Sequence, residues 1–435
     1  MRVFRYWIVI CSIAICSAAS EAADSTKAAT YSFDTSGFKA KPLDASVSVE
    51  LYPTLILYDS ANPLYSLKFE TGNRSYADNY NLKTEAYLQY QHKWLLAFAS
   101  GVVNSAYIRQ DDSISSNNKI YEGYLKYTPN PLLSLLVGKR LFQWGKGYAF
   151  NPVSFAGRLK DLNDIDANLE GYWNLSFEYI KSLDSPIASI ALTGAFLPVY
   201  DLINKGYLPD TTLAGIAKLY MLLLNTDVDM CFFADNRSDF KTGVDFSRNI
   251  FPDWEIHGEW AFIKNFSSTV FAYESTTVSE SHPANNLVAG TRYLAPFNTT
   301  FILEYLHIGS GHSPDDMSEY YKAINDAKAS GDPERIQSVL GTITRYYSAQ
   351  FIATDYVFFK ASHPDLFNFV YFTPSIYAIV NVHDRSMMAA TEMTYSRSRN
   401  LLLTARYVAF FGNNETEYGS KLAQHRIELR AKWSF

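Results

Sequence analysis

One stretch of the chain gathers aromatic, basic and acidic residues in a density that suits the handling of charged solutes. It covers residues 142–170 and lies between two segments that alternate like β-strands. Its candidate residues are Trp144, Lys146, Arg158, Lys160, Asp161, Asp164, Asp166 and Glu170. Carboxylates that face cations across a narrow opening create a transverse field, which orients and selects charged solutes. The alternative is a solvated outer loop with ordinary surface charges, because length and acidity are common in loops.

The charges that would face this loop stand on strand-like segments. In residues 424–435, apolar side chains alternate with polar ones, and successive side chains of a strand point to opposite faces. The apolar set is Ile427, Leu429, Ala431, Trp433 and Phe435. The charged residues expected on the wall opposite the loop are Arg140, Glu178, Arg406, Arg426, Glu428, Arg430 and Lys432. Charged residues at every second position have no place in hydrocarbon, so this face is expected to line a polar lumen.

Similar period-2 segments recur along the chain and predict about eighteen strands, with sixteen as the alternative count. Among the predicted bounds are 119–127, 287–294, 346–359 and 367–382. Short turns and long connections alternate, as in barrels whose short turns are periplasmic and whose long loops face outward. The sequence therefore predicts an all-β fold, a transmembrane antiparallel up-and-down β-barrel with an inward-folding loop between strands 5 and 6.

Three further segments add detail to this prediction. Residues 212–224 and 367–382 are apolar on both faces, which either a subunit contact or a packed inner loop explains. The sequence of the second outer loop, 309–341, predicts two helices. Ser313 can cap a helix that starts at Pro314, and Asp332-Pro333 can start another. Such helices would either cover the mouth of the barrel as a lid or form a surface element that packs only its own apolar residues.

The N-terminus predicts export. Arg2 and Arg5 precede an apolar core at 6–15, and the run that ends at Ala22 fits a cleavage site, with cleavage after Ala18 as the alternative. We expect a signal peptide at 1–22, a periplasmic extension at 23–44 and the barrel at 45–435. The short extension leaves no room for a plug domain. Cys16 raises a lipoprotein alternative that Ile15 disfavours.

Composition and spacing argue against other classes of function. The net charge is -6 and there is no basic patch, so we expect no nucleic-acid partner. Asp164, Asp166, Asn168 and Glu170 alternate as oxygen ligands of calcium would, but the glycine of a helical-hand loop is missing. We therefore expect neither a metal nor another cofactor. The histidines show no spacing that pairs them with a nucleophile, so we expect no enzyme, although periodicity does not exclude pairs formed in space.

Two features carry a resemblance to a known class of proteins. The final strand resembles the signal by which the bacterial barrel-assembly machinery recognises its clients, which implies that role for Trp433 and Phe435. The 142–170 loop resembles the constriction loop of general porins in ordinal position and acidity. Residues 144–148 with Asn151-Pro152 are similar to a motif of proteobacterial barrels of the porin and polysaccharide-export kind. The chain thus resembles porin-like barrels of the Gram-negative outer membrane, surrounded by lipid, as a monomer or a homo-oligomer.

The function expected from this resemblance is a channel through which small hydrophilic solutes diffuse, narrowed by the 142–170 loop. Trp144, Tyr148 and Phe150 would instead favour sugars if solutes stack on them. The alternative is an export or assembly barrel that passes a polysaccharide or holds a partner protein. Conductance across a planar bilayer distinguishes a diffusion pore from that alternative.

Overall fold

The chain forms a closed antiparallel β-sheet. The computed structural model describes residues 42–69, 74–158, 160–161, 168–184, 186–272 and 277–435; the expected signal peptide and most of the extension lie outside them. The sheet has eighteen strands in sequence order, and the first strand pairs with both the second and the last. The predicted closed barrel of eighteen strands is confirmed.

The strands run up and down in turn. They are β1 (Leu43–Tyr58), β2 (Tyr76–His92), β3 (Leu95–Ile108), β4 (Ser113–Asn130), β5 (Leu133–Arg140), β6 (Tyr172–Ser182), β7 (Ile187–Val199), β8 (Thr212–Leu223), β9 (Thr226–Asp235), β10 (Phe240–Phe251), β11 (Trp254–Phe271), β12 (Thr277–Leu294), β13 (Thr300–Ile308), β14 (Asp355–Ser362), β15 (Phe372–Asn381), β16 (Met387–Ser398), β17 (Leu401–Phe411) and β18 (Ala423–Ser434). The described helices are α1 (Pro63–Lys68), α2 (Pro314–Ser330) and α3 (Pro333–Tyr346).

Some strand bounds differ from the prediction. β4 and β12 begin earlier than predicted because polar residues extend both strands beyond the apolar band. β14 begins at Asp355 rather than at 346, because α3 extends to Tyr346 and residues 347–354 form an irregular connection. β15 begins at Phe372 rather than 367, because a 3-10 turn occupies Leu366–Asn368.

The inward and outward faces follow the alternation in the sequence. On β10 and β11, Val244, Phe246 and Trp260 are exposed on the outer surface, whereas Asp245 and Glu259 between them are buried. The same holds on β18, where Glu428 is fully buried between the exposed Ile427 and Leu429. The apolar outer surface suits lipid and the charged inner surface suits water.

Connections differ in length between the two ends of the barrel. At one end they are 93–94, 131–132, 183–186, 224–225, 252–253, 295–299, 363–371 and 399–400. The opposite end carries 59–75, 141–171, 200–211, 309–354 and 412–422, together with the shorter connections 109–112, 236–239, 272–276 and 382–386. We call the first the short-turn end, which corresponds to the periplasmic side of such barrels.

The two predicted helices of the outer loop are confirmed. Ser313 caps α2 in a capping box with Asp316, and Pro314 occupies the first turn. Asp332 caps α3 by accepting from the backbone N–H of Glu334. The helices pack on Phe271 and Tyr347 in a cluster of their own. Within the described residues, no helix is both long and apolar enough to cross a membrane.

Two other apolar clusters lie inside the barrel, where the 142–170 loop meets the wall. One joins Phe150 of the loop to wall residues such as Leu306 and Tyr356. The other joins Trp144 and Phe155 to Phe233 and its neighbours. The inner apolar residues of β8 and β15 belong to these clusters, so a packed inner loop accounts for strands that are apolar on both faces.

Candidate functional site

The first half of the 142–170 loop is attached to the inner wall by a carboxylate of β11. Glu259 Oε1 accepts the backbone N–H groups of Lys146 and Gly147, each at 2.5 Å, and the side-chain amide of Asn151 at 2.8 Å. Glu259 is 2% exposed, so the charge of its carboxylate depends on these donors for solvation. The loop backbone provides the polar environment that this buried group requires.

A second wall carboxylate continues the attachment. Glu304 of β13 accepts the backbone N–H groups of Tyr148 at 2.5 Å and Ala149 at 2.8 Å. His257 Nε2 lies 2.9 Å from Glu304 Oε1 and completes its shell. We call Glu259 and Glu304 the loop clamp, because together they bind consecutive backbone amides from 146 to 149. Four backbone donors bound by two carboxylates fix the path of this segment.

Small residues of the wall make room for the clamp. A Cβ at Gly243 would lie 2.8 Å from Cγ1 of Val153, so glycine lets the loop pack directly on β10. A Cβ at Gly290 would clash with the ring of His257 and lie 2.8 Å from Cγ of Glu304. The glycine on β12 therefore leaves the space that the His257–Glu304 pair occupies.

Lys146 extends from the loop towards two further wall carboxylates. Its Nζ lies 3.0 Å from Oδ2 of Asp229 and 3.9 Å from Oδ1 of Asp245, and both acids are at most 1% exposed. Burial alone would lower the pKa of Lys146, but the neighbouring carboxylates of Asp229 and Asp245 raise it. Lys218 shares Asp229 at 3.5 Å. The charged ammonium of Lys146 therefore links the loop to the wall through ion pairs.

Replacing Lys146 with Met should destabilise the protein by about 3 kcal/mol, because the buried carboxylate of Asp229 would lose the ammonium that lies 3.0 Å from it. A raised pKa means that this stabilisation is complete below 10.5, the ordinary value, and is lost only as the pH rises through the raised value. Equilibrium unfolding of the detergent-solubilised barrel at pH 7 and above pH 10.5 measures both effects. Lys146→Arg is the matched control, since guanidinium stays charged and should remove the alkaline loss. A Met variant as stable as the native protein at pH 7 would contradict this role.

The loop lines a partly open cavity of about 310 Å³. It is lined by Phe142, Gln143, Trp144, Gly145, Asn151, Ser154, Arg158, Lys160 and Asn168. Lys160 Nζ donates to the backbone oxygen of Gly147 at 2.7 Å, and burial lowers the pKa of Lys160 although Glu259 and Glu304 oppose the shift. The lining combines side-chain amides with two cations, which suits a small polar solute with a negative charge.

The wall on the other side of the ring is a network of charges. Glu428 is fully buried and lies 3.0 Å from Arg430, 3.8 Å from Arg406 and in contact with Arg426. Lys432 and Lys83 share Glu85 at 2.5 Å and 2.6 Å. Arg430 also lies 3.5 Å from Glu50. We call this group the basic wall, because its cations outnumber its carboxylates; it spans β17, β18, β1 and β2.

The remaining predicted residues lie closer to the base of the loop. Arg140 pairs with Glu178 at 2.5 Å, and Glu170 accepts from Lys139 at 2.7 Å and pairs with Arg158 at 3.0 Å. Of the three aspartates predicted in the loop, Asp161 lies within the described residues, whereas Asp164 and Asp166 lie outside them. The described part of the chain holds no group of three His, Cys, Asp or Glu side chains arranged for a metal ion.

The structure brings in wall residues that the sequence argument did not select. Glu259, Glu304, His257, Asp229 and Asp245 attach the loop from the wall side. The signal was present, because charged residues alternate on β10 and β11 as they do on β18. Alternation predicts which residues face inward, but it does not predict which of these inward charges contacts the loop and which contacts water.

The aromatic residues at the end of the last strand lie on the outer surface of the barrel. Trp433 and Phe435 are 43% and 76% exposed, and the backbone N–H of Phe435 donates to Val47 at 2.8 Å. Both residues are therefore at the short-turn end, beside the seam between β1 and β18. This position is accessible to a protein that binds the final strand from outside.

The fold has counterparts among solved structures. A BenF-like porin from Pseudomonas fluorescens Pf-5 is similar with a TM-score of 0.55 at 9% identity, over 90% of this chain and 98% of that one. OccK2 (OpdF) of Pseudomonas aeruginosa, solved in complex with glucuronate, gives 0.54 at 8% identity with the same coverage. OccK5 (OpdH) of the same organism gives 0.52 at 11% identity, again with this coverage.

The chain has the closed antiparallel β-barrel fold of these porins. Its likeness to these porins is one of fold, since so few residues are identical. No family model matches the sequence, and no curated protein matches it. What this barrel does is therefore inferred from the contacts of its own residues.

Proposed function

We propose that the protein is an outer-membrane channel through which small hydrophilic solutes diffuse, and that the 142–170 loop narrows it. The observation that supports this most strongly is the loop clamp. Glu259 and Glu304 bind the loop backbone on one side of the barrel interior, while the basic wall lies across the ring. An inner loop held on one wall reduces the cross-section of a lumen without closing it.

We propose that the channel conducts small solutes with a negative charge and that it prefers anions over cations only modestly. Arg158 and Lys160 line the cavity in the loop, and Arg406, Arg426 and Arg430 surround one carboxylate on the opposite wall. A sugar acid such as the glucuronate bound by OccK2 would suit this lining, with its carboxylate near the cations and its hydroxyls near the amides. The charge pairs within the basic wall keep the preference modest, because each carboxylate offsets a cation.

The proposal extends to the surroundings of the barrel. We infer that lipid covers the exposed apolar outer face and that the barrel-assembly machinery recognises the strand that ends in Trp433 and Phe435. A labelled peptide of residues 424–435 should bind that machinery more tightly than the same peptide without its two aromatic side chains. Equal binding of both peptides would remove this assignment.

The clamp offers a direct test of the channel. Replacing Glu259 and Glu304 together with Gln removes two charged acceptors, each of whose hydrogen bonds is worth about 1.5 to 3 kcal/mol. The loop should then leave the wall part of the time, and single-channel recordings in planar bilayers should show a noisier current with additional conductance levels. Glu85→Gln is the matched control, since this inward carboxylate pairs with Lys83 and Lys432 and accepts no amide from the described part of the loop.

The outcomes separate the candidate functions. Steady steps from the native protein and fluctuating steps from the clamp variant support a loop-narrowed channel. Steady and identical steps from both would show that the loop does not set the conductance. No steps from either would favour the export or assembly barrel.

A further inference from the structure

One connection at the short-turn end differs from the others. The connection 363–371 between β14 and β15 is the longest at that end, and it presents apolar side chains. Phe367 is 90% exposed, and Phe369, Val370 and Tyr371 are each more than half exposed. Exposed apolar groups that lie together in sequence and space require a partner surface.

The backbone of this connection is built to hold those side chains outward. Phe367 and Tyr371 have φ of 58° and 70°, a conformation that bulky residues rarely adopt. Asp365 stabilises it, because Oδ1 of Asp365 accepts the backbone N–H of Tyr371 at 2.6 Å. Backbone bonds from Asn368 to Asp365 and from Phe369 to Leu366 complete the turn. Strain of this kind persists where the surrounding structure supports it.

The connection bends towards the outer surface of the barrel. The ring of Phe369 stacks on Tyr395 at 5.2 Å and contacts Phe372 at 5.5 Å. Both partners are on the outward face, since Tyr395 alternates with the inward Glu392 and Thr394 and Phe372 shares a face with the exposed Ile376. The apolar tip is thus continuous with the lipid-facing surface.

Positive charge follows directly after the part of β16 that this tip contacts, since Phe369 stacks on Tyr395 and the backbone N–H of Ser396 donates to the backbone oxygen of Tyr371. Arg397 and Arg399 are exposed at the end of β16 and in the connection 399–400, and Tyr395 precedes them by a few residues on the same strand. Aromatic side chains beside arginines are the combination found where a protein meets the headgroup region of a membrane. The charge complements phosphate groups at the lipid surface.

We propose that the connection 363–371 is a membrane anchor that inserts Phe367, Phe369 and Val370 into the periplasmic leaflet of the outer membrane. In this arrangement Arg397 and Arg399 bind the phosphates of anionic phospholipids, such as phosphatidylglycerol. The anchor fixes the depth and tilt of the barrel at β14 to β16. This assignment stands independently of the solute that the channel conducts.

A depth measurement tests the anchor. The variant Phe367→Cys is prepared as the chain that begins at residue 23, without Cys11 and Cys16, and is spin-labelled and reconstituted in vesicles of phosphatidylethanolamine with phosphatidylglycerol. The labelling is then selective because the remaining native cysteine, Cys231, is fully buried. Collisions with oxygen report lipid, and collisions with a soluble nickel chelate report water. We expect the ratio of oxygen to nickel collisions to be several-fold higher at 367 than for the control Asn225→Cys, which lies in another turn at the same end.

Two further outcomes are informative. Replacing phosphatidylglycerol with phosphatidylcholine should lower the ratio at 367, and the variant R397Q/R399Q should no longer respond to that change. A label at 367 that is as accessible to nickel as the label at 225 would overturn the proposal and leave a surface for a periplasmic protein. Dipolar broadening between labels of neighbouring molecules would also overturn it, because the tip would then contact a second copy of the chain.

Discussion

Removing residues 143–169 should raise the single-channel conductance several-fold. Arg140 and Tyr172 pair directly across β5 and β6, so a short glycine-containing turn can join them without disturbing the ladder. The clamp residues Glu259 and Glu304 would then face water instead of loop amides, and the lumen would gain the volume of the loop. The expected increase follows because conductance rises with the cross-section of the narrowest part.

The outer helices supply the matched control for this deletion. Residues 314–346 pack in a cluster with Phe271 and Tyr347 and make none of the clamp bonds. Their removal should change the conductance little, provided that both variants keep the heat-dependent gel mobility of a folded barrel. A larger increase from removal of 314–346 would place the narrowing at the helices, as a lid, and would contradict the proposed role of the loop.

Replacing Glu428 with Gln should destabilise the barrel by about 3 kcal/mol and shift ion selectivity towards anions. Glu428 is fully buried among Arg406, Arg426 and Arg430, so its loss leaves three close guanidinium groups without their shared carboxylate. The same change adds one positive charge to the basic wall. Unfolding in guanidinium chloride and the reversal potential in a salt gradient measure the two effects.

An exposed ion pair provides the comparison for Glu428. Glu319 pairs with Lys322 at 3.7 Å on α2, and both side chains are at least 40% exposed. Glu319→Gln should cost at most about 0.5 kcal/mol, because water screens such pairs. If Glu428→Gln were as mild as Glu319→Gln, the ion pairs of Glu428 with Arg406, Arg426 and Arg430 would not stabilise the barrel. A reversal potential that moved towards cations would contradict the proposed basic wall.

The architecture could be predicted from the sequence because its signals are local. Alternation on β18 separates Ile427 and Leu429 from Glu428, and the structure places them on opposite faces. The pair Ser313-Pro314 correctly predicted where α2 begins. Bounds were less predictable where local chemistry is ambiguous. The end of α3 near Tyr346 is rich in β-formers, and the strained turn at Phe367 has the composition of a strand.

The candidate site was less accessible to sequence reasoning because its bonds are not local. The clamp joins residues that are more than one hundred positions apart, such as Gly147 and Glu259. Its acceptors bind backbone amides, which every residue offers, so no pattern of residue types marks them. Gly243 and Gly290 make room for the loop, yet in the sequence each looks like any strand glycine. The loop was found by its composition, whereas its attachment needed the three-dimensional structure.

Polymer exclusion in single-channel recordings tests the central claim most directly. Neutral polymers of graded size are added to the native protein and to the variant that lacks residues 143–169, and the size above which a polymer no longer lowers the conductance is recorded. We predict an aqueous pore in both, with a distinctly smaller exclusion size in the native protein. The same exclusion size in both, or no conductance from the folded native barrel, would contradict a solute channel narrowed by the 142–170 loop.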